Sequence, residues 1–256
     1  MFPLRDDNPT LLTPVITIGL ILANIIVWLY VQGAGMSPDA LSQSICQFGT
    51  IPAEITGQLH GYEGVQLSPQ LPPCQFGGLR WETVLTSMFM HGSWLHLIGN
   101  MWFLWLFGNN IEDSMGHLRF LVFYLICGVA GSAAHIYTAA DSLVPTVGAS
   151  GAISGVMGAY IILYPRVKIE TLFILLVFIR IIPIPAWFVL AQWFAVQLLS
   201  GYARPSAGGG VAFWAHIGGF LAGVVLVKIF ENRTLVEARR QHIPLSPHEL
   251  RGRGWI

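Results

Sequence analysis

Ser150 stands in Gly148-Ala149-Ser150-Gly151 and His216 in Ala215-His216-Ile217-Gly218-Gly219, each within an apolar run of membrane-helix length. Ionisable side chains at such depth cost roughly 2.5–3.5 kcal/mol when charged and are functional-site candidates by default. A serine hydroxyl is a weak nucleophile until a base takes its proton, and imidazole is such a base. His96 and Asn100 are separated by four positions, so they share one face of a helix. Both can donate a hydrogen bond, as an oxyanion hole requires. Gly151 leaves room beside the serine for a carbonyl to approach Ser150 and its backbone N–H. A serine opening a helix would also offer free N–H groups and the positive end of the helix dipole.

The elements that must position these groups follow from composition. The 256 residues are 54% hydrophobic and 10% charged, against about 25% charged in soluble domains, so the expected fold is an all-α, polytopic membrane bundle. Lys+Arg 13 balances Asp+Glu 13, which leaves no net charge for a nucleic-acid partner. Six segments are long and apolar enough to span: roughly 14–33, 93–111, 118–138, 147–164, 184–200 and 211–230. A seventh apolar stretch near 169–182 is β-branched, carries Arg180 and is closed by Pro183 and Pro185; it is expected to be an interfacial or loop segment.

With the N-terminus inside, Arg5, Arg119, Arg166, Lys168, Arg180, Lys228, Arg233, Arg239, Arg240, Arg251 and Arg253 fall on the cytoplasmic side, and only Arg80 and Arg204 fall outside. That bias places both termini in the cytoplasm. The organisation expected is a cytoplasmic N-terminus over 1–13, a six-span domain over 14–230 and a basic cytoplasmic tail over 231–256. Helices two, four and six then enter from the outer face. His96, Asn100, Ser150 and His216 each lie near an outer end, roughly 5–10 Å deep at 1.5 Å per residue. Four polar residues on three helices at one depth make a single site.

The segment from about 34 to 92 becomes a long outer loop. Its prolines break any long helix, while Trp81, Leu85, Met88 and Phe89 suit a short interfacial helix. Cys46 and Cys74 share this loop, so a disulfide is open to them in an oxidising compartment; Cys127 is mid-span and reads as packing. Gly148, Gly151, Gly155 and Gly158 in the fourth span and Gly219 and Gly223 in the sixth have spacings that let helices approach closely. Trp102, Trp105, Trp187, Trp193 and Trp214 fit lipid-facing or interfacial positions. No His-Glu-x-x-His is present, Asp113 and Asp141 fall at opposite helix ends, and no charged path suggests a transporter. No metal or organic cofactor is implied, and no residue specifies an oligomeric state.

The elements His91-Gly-Ser-Trp-Leu-His96-Leu-Ile-Gly-Asn100, Gly148-Ala-Ser150-Gly151 and Ala215-His216-Ile-Gly-Gly219 resemble those of the rhomboid intramembrane serine proteases, in order and spacing, over roughly 14–230. The resemblance implies a six-helix rhomboid bundle in which Ser150 is the nucleophile and His216 the general base. His96, Asn100 and the Ser150 N–H would form the oxyanion hole, His91 would support the outer loop, and Glu112 would tie helices together. Substrates would be membrane proteins cut within or beside a transmembrane helix, and the setting a bacterial inner membrane. The alternative is an inactive rhomboid-like protein that binds transmembrane helices; such proteins typically lack the serine or the histidine, and both are present here. Three departures stand out. Many members carry an aromatic residue four after the nucleophile, where this chain has Ser154. An expected Trp-Arg pair in the outer loop reads Glu82-Thr83, with Arg80 and Trp81 just before it. Gly99 replaces a bulky residue on the side facing the fifth helix, which would loosen lateral substrate entry.

Overall fold

A backbone in apolar surroundings must satisfy its own N–H and C=O groups, and each of the six apolar segments does so as a helix. The computed structural model describes residues 2–67, 69–175, 178–203 and 210–240. Arg204, the side chains of Arg239 and Arg240, and the tail from 241 with Arg251 and Arg253 lie outside the described residues. The helices are α1 (Val15–Ile26), α2 (Pro38–Phe48), α3 (Pro52–Thr56), α4 (Thr83–Thr86), α5 (Trp94–Phe103), α6 (Asn109–Met115), α7 (His117–Thr138), α8 (Ser150–Leu163), α9 (Ala186–Ala203), α10 (Phe213–Phe230) and α11 (Arg233–Arg240). A π-turn over Val27–Val31 prolongs α1, and another over Leu104–Gly108 fuses α5 and α6 into one rod. His117–Thr138 and Phe213–Phe230 are long and apolar enough by length and composition to cross a membrane.

The chain is mostly helical, but it is not all-α. Strands β1 (Phe2–Asp6), β4 (Lys168–Leu175) and β5 (Phe178–Pro185) form one antiparallel sheet in the order β1-β4-β5, and β2 (Gly64–Val65) pairs with β3 (Cys74–Gln75). The stretch expected to be an interfacial or loop segment is thus a hairpin, with Lys168 opposite Pro185 and Leu175 opposite Phe178. Its β-branched residues favour the pleat. Ile169 and Thr171 are buried while Ile179 and Ile181 are exposed. Pro183 fits because β5 is an edge strand, where a missing donor costs no ladder bond. The N-terminal residues, expected only as a cytoplasmic lead-in, supply β1.

The packed core joins α1, the α5–α6 rod, α7 and α8 through Trp28, Phe107, Phe120, Phe123, Tyr124 and Tyr160, all fully buried. Two buried carboxylates anchor the chain's start to α6. Glu112 accepts from the Ile16 and Thr17 N–H groups at 2.9 and 2.8 Å and from Thr17 Oγ1 at 2.7 Å. Those N–H groups open α1 and have no helical acceptor. Asp113 accepts from Leu11 and Leu12 N–H. The outer surface of the rods is apolar at helical spacing: Leu118, Val122 and Ile126 on α7, and Leu221, Val225 and Ile229 on α10, are all exposed. A band of this kind marks a surface that does not face water.

Glycine brings α8 and α10 into backbone contact. A Cβ at Gly219 would lie 1.9 Å from the Gly151 carbonyl oxygen, and one at Gly223 1.9 Å from that of Gly155. From the α8 side of the same contact, a Cβ at Gly158 would meet Phe220 O of α10 at 2.2 Å.

The segment between α1 and α5 is folded rather than trailing. Cys46 on α2 and Cys74 on β3 are disulfide-bonded. The short helix expected near 81–89 is α4 with a 3₁₀ turn over Ser87–Phe89, which buries Met88 and leaves Trp81 exposed. The Arg80 guanidinium donates to Glu54 Oε2 through Nε at 3.0 Å and Nη2 at 2.6 Å, and to the carbonyls of Cys46 and Gln47 at 3.1 Å. Arg80, three residues before the expected arginine position at Thr83, is therefore the arginine that ties this loop. Because the Glu54 side chain is 1% exposed, Arg80→Ala strands a buried carboxylate. The expected loss is about 3 kcal/mol, read as a lowered thermal midpoint in detergent, with Arg80→Lys intermediate. A midpoint unchanged in Arg80→Ala would mean that the pair contributes nothing to stability.

Candidate active site

Ser150 opens α8 because the preceding backbone cannot be helical: Gly148 has φ +132, a conformation that only glycine adopts readily. Gly148 is held there by its N–H donating to Ser87 O at 2.9 Å, and Thr50 braces the same turn through a bridge to Thr146 and a 2.9 Å contact with Ser87 Oγ. His216 lies in the first turn of α10, which packs against α8 across the glycines described above. The two side chains meet: His216 Nε2 is 2.7 Å from Ser150 Oγ.

The expected oxyanion donors border one cavity with Ser150. Ser93 caps α5, its Oγ accepting from His96 N–H at 3.1 Å. The Gly92 backbone N–H approaches His96 Nδ1 at 3.3 Å. A backbone N–H can only donate, so Nδ1 is the acceptor and the proton sits on Nε2, which makes His96 a donor towards the serine. A Cβ on Gly148 would lie 2.8 Å from His96 Nε2 and 3.5 Å from Ser150 Oγ, so only a glycine lets the ring and the hydroxyl share this space. Asn100 is buried, and its Nδ2 has no hydrogen-bond partner among the described residues. The Ser150 N–H belongs to the first turn of α8 and lacks a helical acceptor. Three hydrogen-bond donors thus border one space. They line a cavity of about 620 Å³ together with Ser150, Trp193 and His216.

His91 packs edge-on against His96, ring centroids 5.1 Å apart. Its backbone is clamped to the end of the first rod, with Gln32 Nε2 donating to His91 O at 2.6 Å and His91 N–H donating to Gln32 Oε1 at 2.8 Å. Burial, reinforced by the neighbouring His96, pushes the His91 imidazole down to about 3, so the ring is neutral at physiological pH. Gly151 belongs to the helix contact: a Cβ there would face Ala215 O at 3.6 Å and Gly131 Cα at 3.8 Å. Beside Gly99, which also lines the cavity, a Cβ would meet nothing within 4 Å.

Several neighbours were not legible as site residues. His135, read as structural, lines the same cavity. Trp193, read as lipid-facing or interfacial, lies against the His216 ring with centroids 5.8 Å apart, while Trp102, Trp105 and Trp187 are exposed as expected. Ser154, at the position where an aromatic residue was expected, turns back to donate to Ser150 O at 2.6 Å. The ring support for the histidine therefore comes from α9 instead of α8. Gln197, one turn beyond Trp193, places Oε1 2.8 Å from His216 Nδ1. Its signal in the sequence was an amide in an apolar span, one of two there with Gln192. Among the described residues no group of three or more His, Cys, Asp or Glu is placed to hold a metal ion.

A sequence model of the Rhomboid domain matches residues 79–233. Rhomboid protein 1, mitochondrial, of Saccharomyces cerevisiae is 32% identical over 152 residues, covering 56% of this chain and 40% of the yeast protein. Rhomboid protease GluP of Bacillus subtilis is 32% identical over 146 residues, covering 57% of this chain and 26% of GluP. RHOMBOID-like protein 7 of Arabidopsis thaliana is 25% identical over 244 residues, 89% of this chain and 70% of the plant protein. This chain spans less than half the length of the yeast and Bacillus relatives.

Proposed function

The chain belongs to the rhomboid family, and on that footing we propose that it is an intramembrane serine endopeptidase in which Ser150 is the nucleophile and His216 the general base. The observation that carries this is the 2.7 Å approach of His216 Nε2 to Ser150 Oγ, within a cavity that His96 and Asn100 also line. The family is one of membrane proteins, and we propose that α1, the α5–α6 rod, α7, α8, α9 and α10 are six transmembrane spans. The apolar outer band supports this. The Lys and Arg distribution supports cytoplasmic termini, and the Cys46–Cys74 bond supports an oxidising outer side, as for a bacterial inner membrane.

In this reading the substrate is a transmembrane helix that unwinds locally, because a helical peptide bond is shielded by its own hydrogen bonds. Ser150 Oγ attacks the exposed carbonyl carbon as its proton passes to His216 Nε2. The negative oxygen is taken up by Asn100 Nδ2, His96 Nε2 and the Ser150 N–H. His216 returns the proton to the leaving amine, the C–N bond breaks, and an acyl-serine remains. Water, deprotonated by His216, attacks that ester and releases the acid and Ser150. The positive end of α8 favours the charge that develops at its first turn.

The test is labelling of the full chain in liposomes by a fluorophosphonate, alongside cleavage of a helical reporter substrate. The wild type is expected to label and to cut, and Ser150→Ala to do neither. A folded wild type that neither labels nor cuts would instead favour a helix-binding rhomboid-like protein without catalysis.

A further inference from the structure

Neutral imidazole carries a single N–H, and whichever nitrogen holds it is set by the partner of the other nitrogen. His216 can serve as a base only if Nε2, facing Ser150, is bare. The usual partner for such an Nδ1–H is a carboxylate, and among the described residues none is hydrogen-bonded to His216. Gln197 stands there instead, on α9 and 8% exposed. Its amide lies with Nε2 towards Trp193 O of its own helix at 3.5 Å and Oε1 towards His216 Nδ1 at 2.8 Å. An amide oxygen only accepts, so the proton belongs on Nδ1.

We propose that Gln197 is a positioning residue for the reaction, its Oε1 accepting from His216 Nδ1–H and holding the ring in the tautomer whose bare Nε2 faces the Ser150 hydroxyl. This rests on the Ser150–His216 reading above. The opposite tautomer would aim an N–H at Ser150 and could accept no proton. The amide dipole also faces the imidazolium that forms as Ser150 attacks. Trp193 and Gln197, one turn apart, lie on one face of α9, so a single helix supplies both the backing of the ring and its acceptor. That arrangement replaces an aromatic residue at position 154.

The experiment compares Gln197→Met, which keeps the length but removes the acceptor at that reach, with Gln197→Glu, which keeps an acceptor oxygen. Each full chain is reconstituted and assayed for kcat and KM on the helical reporter. Gln197→Met is expected to lower kcat by about 10- to 100-fold with KM within twofold, and Gln197→Glu to recover most of that loss. The ¹⁵N spectrum of histidine-labelled protein, with His216 assigned by its disappearance in His216→Ala, is expected to show protonated Nδ1 in wild type and mixed protonation in Gln197→Met. A kcat for Gln197→Met within twofold of wild type overturns the proposal, as does an equal loss in both variants, which would mark packing alone. A wild type that cuts nothing overturns the protease reading, and the spectrum then decides on Gln197 separately: His216 protonated at Nε2 rejects it.

Discussion

His216→Ala is expected to lower kcat for helix cleavage by at least about 10⁴-fold, and Asn100→Ala by about 10²–10³-fold, with both variants folded. The difference follows from what each residue is asked to do. Without His216 the Ser150 proton has no acceptor within reach, and losing the base of a serine hydrolase disables nearly all of the covalent pathway. Asn100 supplies one of three donors, and loss of one donor costs about 10²–10³-fold in other serine hydrolases. Its Nδ2 is buried with no partner among the described residues, so it is not committed to stability. Asn100→Ala should therefore leave the thermal midpoint nearly unchanged while kcat falls and KM does not. Single-turnover cleavage at saturating substrate reads this directly. A rate for Asn100→Ala within twofold of wild type would remove Asn100 from the oxyanion site and leave His96 and the Ser150 N–H to serve it.

The second large effect is structural. Gly219→Ala is expected to cost about 3 kcal/mol or more and to reduce cleavage by over 100-fold. The added Cβ would sit 1.9 Å from the Gly151 carbonyl oxygen and 2.8 Å from its carbon. Both are backbone atoms of α8, so no side-chain rotation relieves the overlap, and overpacking that only a helix shift can resolve falls at the upper end of the usual 1–3 kcal/mol range. The shift would act where it is least tolerated. Gly219 is three residues from His216, and Gly151 follows Ser150, so parting α8 from α10 opens the 2.7 Å contact. Gly19→Ala is the control. A Cβ there meets nothing within 4 Å, and in a helix interior alanine is favoured over glycine by about 1 kcal/mol. Thermal unfolding in detergent and cleavage rate, measured on both variants, separate the two cases. Equal midpoints for Gly219→Ala and wild type would show that α8 and α10 do not depend on this contact.

Two of the three departures from the family pattern have one physical explanation. Ser154 cannot back the histidine ring, and Trp193 on α9 does so. Glu82-Thr83 cannot supply the loop arginine, and Arg80 reaches Glu54 from three residues before Thr83. In each case the chain places the required chemical group at the right point in space from a different point in sequence. A motif fixes positions along the chain, whereas a contact requires only that atoms meet.

What the sequence by itself determined is the set of local, periodic and compositional features. Apolar runs of spanning length gave the positions of the six helical rods, because a backbone without water must bond to itself. His96 and Asn100 on one face, and the glycine spacings of α8 and α10, followed from 3.6 residues per turn. The order and types of His91, His96, Asn100, Ser150 and His216 were enough to nominate one site. What only the tertiary structure decided depends on pairs distant along the chain. The apolar stretch after α8 became a hairpin because β1, over 160 residues away, completes its sheet, and no window of sequence contains that partner. The clamp of Gln32 on His91 spans 59 positions, and Cys46 and Cys74 are joined across a separation of 28. Gln197 was one of two amides in an apolar helix until the packing of α9 against α10 brought it, and not Gln192, to His216 Nδ1. Side-chain periodicity is a property of one element, but the identity of a hydrogen-bond partner is a property of two, and only the packed molecule specifies the second.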